Sequence, residues 1–505
     1  MNTQMKTLMY QRIFNSSICR ILIATCLSAL CLIALSTQAA TITVTNTNDS
    51  GAGSLRQAIA DANDGDTVEF GVTGMITLIT SELLVDKSIT LSGPGATNLS
   101  VDGNGSSRVF HINSGKTATI SGLTIANGAS DNGGGIFNEH ADLTLSNCTV
   151  SGNSASLSGG GVYSHGGVRS ATLTLNNSTI TGNSASSFGG GINNHLATLT
   201  ANNSTISGNS ALFGGGIDSD GLLGSATVTS HNSTISGNSA TGGGGIYSHL
   251  STLTLNNSTI SGNAATDGGG IINDSGAVTI GNTILETGIS GQNIINFGNL
   301  TSNGYNLSDD DGGGYLTATG DQINTDPMLG PLQDNGGPTF THALLTGSPA
   351  IDAGDPHFVP PPDYDQRGPG YVRVAHGRVD IGAFEVQIVT PSYTGQVQPP
   401  INADGTSAFN VRRGVVPMRF TLTLSGVATC DLPPATIAVT RTAGGVIGEV
   451  NESVYGGNAD TGSNFRIDNC QYVYNLNSRA LGVGTYRIDI LIDGQVVGNA
   501  VFSLN

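Results

Sequence analysis

Between residues 117 and 300 the chain repeats one short pattern of apolar and polar positions. Each unit reads Leu-Thr-Leu, then Asn-(Ser/Cys)-Thr-(Ile/Val)-(Ser/Thr)-Gly-Asn, then Gly-Gly-Gly-(Ile/Val). The aliphatic after the glycines recurs as Ile136, Val162, Ile192, Ile217, Ile246 and Ile271, at spacings of 26, 30, 25, 29 and 25. The aliphatic before Ser/Thr-Gly-Asn recurs as Val150, Ile180, Ile206, Ile235 and Ile260, at 30, 26, 29 and 25. Length varies at one place, between the triple-Gly strand and the next Leu-Thr-Leu, which a stacked solenoid permits. Alternation such as Leu173 and Leu175, then Ile180, then Ile192, predicts three short strands per unit. Helical periodicity is absent, as is the Asn-and-Leu pattern of a leucine-rich horseshoe. The expected fold is therefore all-β, a parallel β-helix whose turns stack about 4.8 Å apart. About four inward aliphatics per turn, at roughly 1.5–3 kcal/mol each, drive the stacking. Glycines make the tight corners. Asn153, Asn183, Asn209, Asn238 and Asn263 recur at one corner, where left-handed backbone and a side-chain ladder are expected. The Asn-Ser-Thr sequons at Asn177, Asn203, Asn232 and Asn257 share one phase of the repeat, which gives them a structural role ahead of glycosylation.

The flanks differ. Residues 41–116 read as irregular early turns, with Ser54 N-capping a short helix whose Leu55, Ala58, Ile59 and Ala62 lie on one side. Such a helix would plug the open end and hide its unpaired edge. Residues 301–385 read as the end of the solenoid and its cap, and 386–400 as a Pro-containing linker. Residues 401–505 have alternating runs at Met418–Leu424, Thr436–Thr440, Gln471–Leu476 and Tyr486–Ile492, with an Asp493-Gly494 turn into Val496–Leu504. About seven strands in that length suggest an antiparallel sandwich. At the other end, Lys6, Arg12 and Arg20 precede an apolar run from Ile21 to Leu35 and small residues before Ala39 and Ala40. That run falls short of the roughly 20 residues of a membrane span, so residues 1–40 read as a secretory signal cleaved after Ala39 or Ala40. The mature chain then has no transmembrane segment and is expected to be secreted or held at the cell surface. In an oxidising compartment Cys430 and Cys470 are expected to pair, while Cys148, standing where sibling repeats have Ser178, Ser204, Ser233 and Ser258, is a lone substitution.

Several segments resemble known families. Ser54-Leu55-Arg56-Gln57-Ala58-Ile59 resembles the CSLREA segment that opens many bacterial exported β-helix proteins, with Gly53 and Gln57 in place of its cysteine and glutamate. The triple-Gly units are similar to the right-handed β-helix repeats of polymorphic outer-membrane proteins and pectate-lyase-like proteins. Gly347-Ser348-Pro349-Ala350-Ile351-Asp352-Ala353-Gly354-Asp355, Asp365-Gln366-Arg367-Gly368 and Asp380-Ile381-Gly382-Ala383-Phe384-Glu385 are similar to the choice-of-anchor Q segment, which closes such solenoids. Pro417-Met418-Arg419-Phe420 resembles the Pro-x-Lys-Phe signature of extracellular PxKF modules, with Arg419 for the Lys. Within the cap, Arg367, Arg373 and Arg378 can pair with the carboxylates, or Asp352, Asp355, Asp365 and Asp380 can hold calcium.

Composition narrows the function. There are 73 glycines in 505 residues, no Trp, and 36 acids against 18 Lys+Arg, giving −18. Without residues 1–40 the charge is −21, from 15 cations and 36 acids. A duplex nucleic-acid partner needs a basic footprint and is excluded. β-Helices of this kind also carry lyases and hydrolases. Residues 117–290, however, hold Arg169 as their only Lys or Arg against eight acids. Asp218 and Asp220 alternate at one strand end, with no evident base beside them. Three positions after each triple-Gly aliphatic stand Glu139, His165, His195, Asp220, His249 and Asp274, with His140 beside the first. Stacked about 5 Å apart, this column reads either as polar residues on a solvated turn or as a metal-binding or pH-sensitive edge. The expectation is a non-catalytic surface or extracellular scaffold that adheres or binds glycan. The alternatives are a polysaccharide lyase or glycoside hydrolase, or a spacer whose C-terminal module does the binding. No organic cofactor is implied.

Overall fold

The computed structural model describes residues 39–387 apart from 168, and 393–505 apart from 425, 431, 451–458, 461 and 493. The expected export signal up to residue 38 lies outside the described residues, as do 388–392 of the expected linker and Asp493 of the expected turn. Contacts divide the chain into two units between Gln387 and Ile388.

The first unit is a right-handed parallel β-solenoid of about 11 turns. Its regular turns pair repeat-equivalent residues: Leu173 with Leu199 in the first sheet, Ile180 with Ile206 in the second, Ile192 with Ile217 in the third. The first sheet runs from Thr41–Val44 to Asn299–Gly304 and the third from Leu83–Val85 to Ile294–Asn296. One residue of each alternating pair points inward, so Leu173, Leu175, Ile180 and Ile192 and their equivalents form one continuous core. The helix Leu55–Asp61 sits against Thr41–Val44 and Leu83–Val85, the first strands of the first and third sheets. Ser54 accepts the amide of Gln57, and Leu55, Ala58 and Ile59 enter the core, so the helix closes that end. Arg56 pins it by bonding Asp49 at 2.7 Å and the carbonyls of Ser81 and Glu82.

Two corner columns divide what was expected of one. Asn177, Asn203, Asn232 and Asn257 take left-handed backbone, with φ near +50°. The Asn153 column does not. It is buried, and each Nδ2 donates to the Oδ1 of the next Asn at 2.9–3.0 Å and to a backbone carbonyl of the preceding turn. The left-handed turn goes to the sequon Asn because the chain reverses there between the first and second sheets. Next to it, the buried Ser178 amide donates to Ser204 Oγ and the Ser204 amide to Ser233 Oγ. Asn232 and Asn257 are buried, which removes them as glycan acceptors.

In the segment expected to close the far end, only the first part does so: Asn299–Gly304 and Leu307–Ser308 end the first and second sheets, and Leu316 packs into the core. From Leu329 to Val386 the segment runs back along the outer face of the second sheet. Thr205 Oγ1 donates to the Phe340 carbonyl at 2.6 Å, Gln366 Nε2 donates to Thr205 Oγ1, and Thr234 Oγ1 donates to Gln366 Oε1. Ser236 meets His342 at 2.8 Å, and the Ala383 amide donates to Thr259. Thr205, Thr234 and Thr259 are buried under this strap, whereas Thr149 and Thr179 of earlier turns are half exposed. The repeat supplies a ladder of hydroxyls, and the strap uses it.

Among its described residues the second unit holds two five-stranded sheets. Val415–Leu424 lies between Tyr393–Gln398 and Gln471–Asn477 in one, and Gly484–Ile492 between Ala435–Ala443 and Gln495–Leu504 in the other, all antiparallel. Met418, Phe420, Tyr472, Tyr474, Ile488 and Phe502 from both sheets share one core. Arg419 of the Pro-Met-Arg-Phe run faces outward. Cys430 and Cys470 form a disulfide.

Two expectations follow. A Cβ on Gly190 would meet the Ser210 and Gly215 carbonyl oxygens at 2.4 and 2.6 Å, whereas one on Gly182 meets nothing and only strains a φ of +63°. Gly190→Ala should cost about 3 kcal/mol and Gly182→Ala about 1 kcal/mol in thermal unfolding; equal costs would refute the steric account. Burial and the neighbouring Asp380 push the Glu385 carboxyl up to about 8, against the pull of Arg373. A carboxyl raised above its unfolded value of 4.5 contributes stability that is complete below that value and lost as pH rises through 8. The melting temperature should therefore fall across that window, and Glu385→Gln should flatten the fall.

Candidate functional site

Strands of the third sheet place their first and third residues inward and their second and fourth outward. Ile192, Asn194, Ile217 and Ser219 are buried inside, while the outward residues form two columns. One is Phe137, Tyr163, Asn193, Asp218, Tyr247 and Ile272, and the other is Glu139, His165, His195, Asp220, His249 and Asp274. The second column thus ends strands instead of occupying a solvated turn. Phe188 and Phe213, each preceding a triple Gly, stand alongside. These residues line a trough of about 430 Å3 with Tyr163, Asn193, His195, Asp218, Asp220, Tyr247 and His249. Five of the six Phe and Tyr residues between 117 and 300 lie on this face, in a protein with only 5% aromatics. Their rings stack from turn to turn: Phe137 to Tyr163 at 5.4 Å, Phe188 to Phe213 at 5.8 Å, Phe213 to Tyr247 at 5.1 Å.

Asp218 interrupts the aromatic column between Asn193 and Tyr247. It is 2% exposed and accepts a hydrogen bond from Asn193 Nδ2 at 2.6 Å. Burial, then the adjacent Asp220, pushes its carboxyl well above the usual range. The expectation that no base stands near this pair is overturned. Asp220 Oδ2 lies 3.1 Å from His195 Nδ1, and its Oδ1 lies 3.0 Å from His249 Nδ1. The helical return of the backbone, and not sequence proximity, brings these imidazoles to one carboxylate, each one turn away. His165 stacks on His195 at 5.3 Å, and burial followed by His140 and His195 lowers its pKa. Tyr247 donates to Asp274 at 3.0 Å, and burial, followed by that hydrogen bond, pushes the phenol up to about 12. At the other end of the face, His111 lies between Glu82 and Glu139 at 3.1 and 2.9 Å. The Glu82 hydrogen bond is the main cause of its raised pKa.

The metal readings find no gathered ligand set. Among the described residues no three His, Cys, Asp or Glu side chains converge as a metal would require. In the edge column each imidazole is turned to a carboxylate or another ring. In the strap, Asp365 clasps Arg367 at 2.6 Å and Asp380 accepts the amides of Asp352 and Val386. Asp352 and Asp355 face His376 and His357 at 3.6 Å. Arg367 also lies over Tyr371 and Phe384, Arg378 donates to the Ala353 and Gly354 carbonyls, and Arg373 lies buried 3.9 Å from Glu385. Cys148 is buried in the core, with its thiol pushed up to about 11 by burial, which leaves it inert.

Sequence reasoning singled out Asp218, Asp220 and the imidazole column but missed Tyr163, Phe188, Asn193, Phe213 and Tyr247. Their signal was present: five of the six Phe and Tyr residues between 117 and 300 fall at two phases of the repeat. The fold and this face define a parallel β-solenoid with an aromatic, acidic trough on one outer side. Comparison with protein-family models, with curated proteins and with solved structures gave no match. Among the described residues no helix is long and apolar enough to cross a membrane.

The buried carboxyl carries its own expectation. Its raised pKa means stability is complete below 3.8 and declines as pH rises above it. Asp218→Asn should raise the melting temperature at neutral pH and leave it unchanged in strong acid. A lower melting temperature at neutral pH would mean that the charged form is the stabilised one.

Proposed function

We propose that this chain is an exported scaffold of the cell surface or extracellular space that binds glycan in the trough of its third sheet. The single observation that carries the reading is the concentration of stacked aromatic rings beside hydrogen-bonding side chains on one outer face. Sugar rings pack their C–H faces on such aromatics and turn their hydroxyls to neighbouring polar groups. Export is supported by the cationic, then apolar, then small-residue order of positions 1–40. Bacterial origin is supported by the resemblance of Ser54–Ile59 to the CSLREA segment, and the anchor-like and PxKF-like resemblances support an extracellular setting.

Hydrolysis of the bound glycan is the second reading, favoured by the pair Asp218 and Asp220. Two residues apart on one strand face, their Cα atoms stand about 6.6 Å apart. Inverting glycosidases need roughly 6.5–9.5 Å between the carboxyl groups themselves, a separation that two side chains projecting from one strand face can span. Asp218 would protonate the leaving glycosidic oxygen while Asp220 takes a proton from the attacking water, one water being consumed per bond cleaved.

A glycan array followed by calorimetry on the full chain tests the first reading. Binding should appear, and Tyr247→Ala should weaken it by about tenfold or more. Silence across neutral, acidic and amino-sugar glycans would refute it. Reducing-sugar release that disappears in Asp220→Asn would establish the second reading in its place.

A further inference from the structure

Among the described residues lining the trough, the one buried side-chain polar atom left unpaired is an acceptor. Asn193 is 4% exposed, and its Oδ1 has no hydrogen-bond partner among the described residues. Asp218 receives one donor, from Asn193 Nδ2. Asp220 receives two imidazoles, from opposite sides along the stack, and its Oδ1 also accepts the Leu222 amide at 2.9 Å. Neither Lys nor Arg lines the trough. A uronate carboxylate would face the carboxyls of Asp218 and Asp220 with no guanidinium or ammonium to receive it. Tyr163, Phe213 and Tyr247, packed on neighbouring rings of the stack, also line the site.

We propose that the trough recognises the protonated amino group of an amino sugar in a glycan, held by Asp218, Asp220 and Asn193 Oδ1 against the Tyr163, Phe213 and Tyr247 rings. The inference rests on the glycan-binding reading above and narrows it to one ligand class. An ammonium has three donors and no acceptor, the complement of what the trough offers. It also supplies the counter-charge that Asp218 lacks in its buried position. His195 and His249 stay on Asp220 and orient it, with Asp274 behind His249 at 4.0 Å. The chain's net charge of −18 further draws a polycation to the surface.

The experiment is calorimetry of the full chain with three oligosaccharides: a glucosamine tetramer, the same tetramer N-acetylated, and a galacturonate tetramer. The glucosamine tetramer should bind at least about tenfold more tightly than its N-acetylated form, and added salt should weaken it. Asp218→Asn and Asp220→Asn should each bring the two affinities close together. Asp142→Asn, on the first sheet, should leave the ratio unchanged. Should the trough variants lose their native circular dichroism, the ratio measured on the unsubstituted chain still decides. Equal affinities, or tighter galacturonate binding, would overturn the amino-sugar assignment while leaving glycan binding intact. No binding to any of the three overturns it too, and the wider array then decides whether the glycan reading also falls.

Discussion

Each turn of the solenoid lies on the one before it, in register, at the spacing of a parallel β-ladder, and almost everything else in the first unit follows from that contact. At the triple-Gly corner the backbones approach so closely that a Cβ on Gly161, Gly191, Gly216 or Gly245 would meet the equivalent glycine carbonyl of the next turn at 2.6 Å. A glycine column is therefore a steric requirement of stacking at this corner. Opposite constraints act at the Asn153 column. There the turn is buried, and its amide side chains must satisfy one another as well as the backbone. The same stacking explains why loops vary most in length where the chain leaves the third sheet.

In-register stacking also turns a sequence column into a physical neighbourhood. Like side chains meet every turn, which suits aromatic rings and strains charges. Asp218 and Asp220 depart from the columns around them, and the two departures fall on the same strand. Asp220 is accommodated by an imidazole above, another below and the Leu222 amide, whereas Asp218 has only an amide side chain and a low-dielectric wall of rings. That asymmetry separates the two carboxyls chemically, and it places the polarity of the trough at one point along an otherwise repetitive face.

The strap shows the other use of repetition. A ladder of Thr and Ser hydroxyls is a regular set of donors and acceptors, and a segment with Gln366 and His342 can lie along it. Its own cohesion comes from guanidinium groups: Arg367 between two aromatic rings and Asp365, Arg373 among backbone carbonyls and Glu385. Covering the second sheet leaves the third sheet's outer face as the one carrying exposed aromatic and ionisable columns. The site is thus placed in part by what the strap hides.

Much of this was legible in the residues themselves. Spacings of about 25 to 30 between Ile192-like and Ile180-like positions determine a β-solenoid, because no other arrangement lets every short strand bury its aliphatic against an identical neighbour. Ser54 and the apolar side of residues 55–62 determine the capping helix through local hydrogen bonding, and alternation in residues 415–504 determines the sandwich strands. Only the tertiary structure decided which columns face out, which are covered, and what stands beside what. The strap's path depends on contacts across more than a hundred residues, such as Phe340 to Thr205, which no local pattern encodes. Asp220 gains its two imidazoles from residues 25 and 29 positions away. Periodicity comes from local spacing, and chemistry here comes from the groups that stacking brings together.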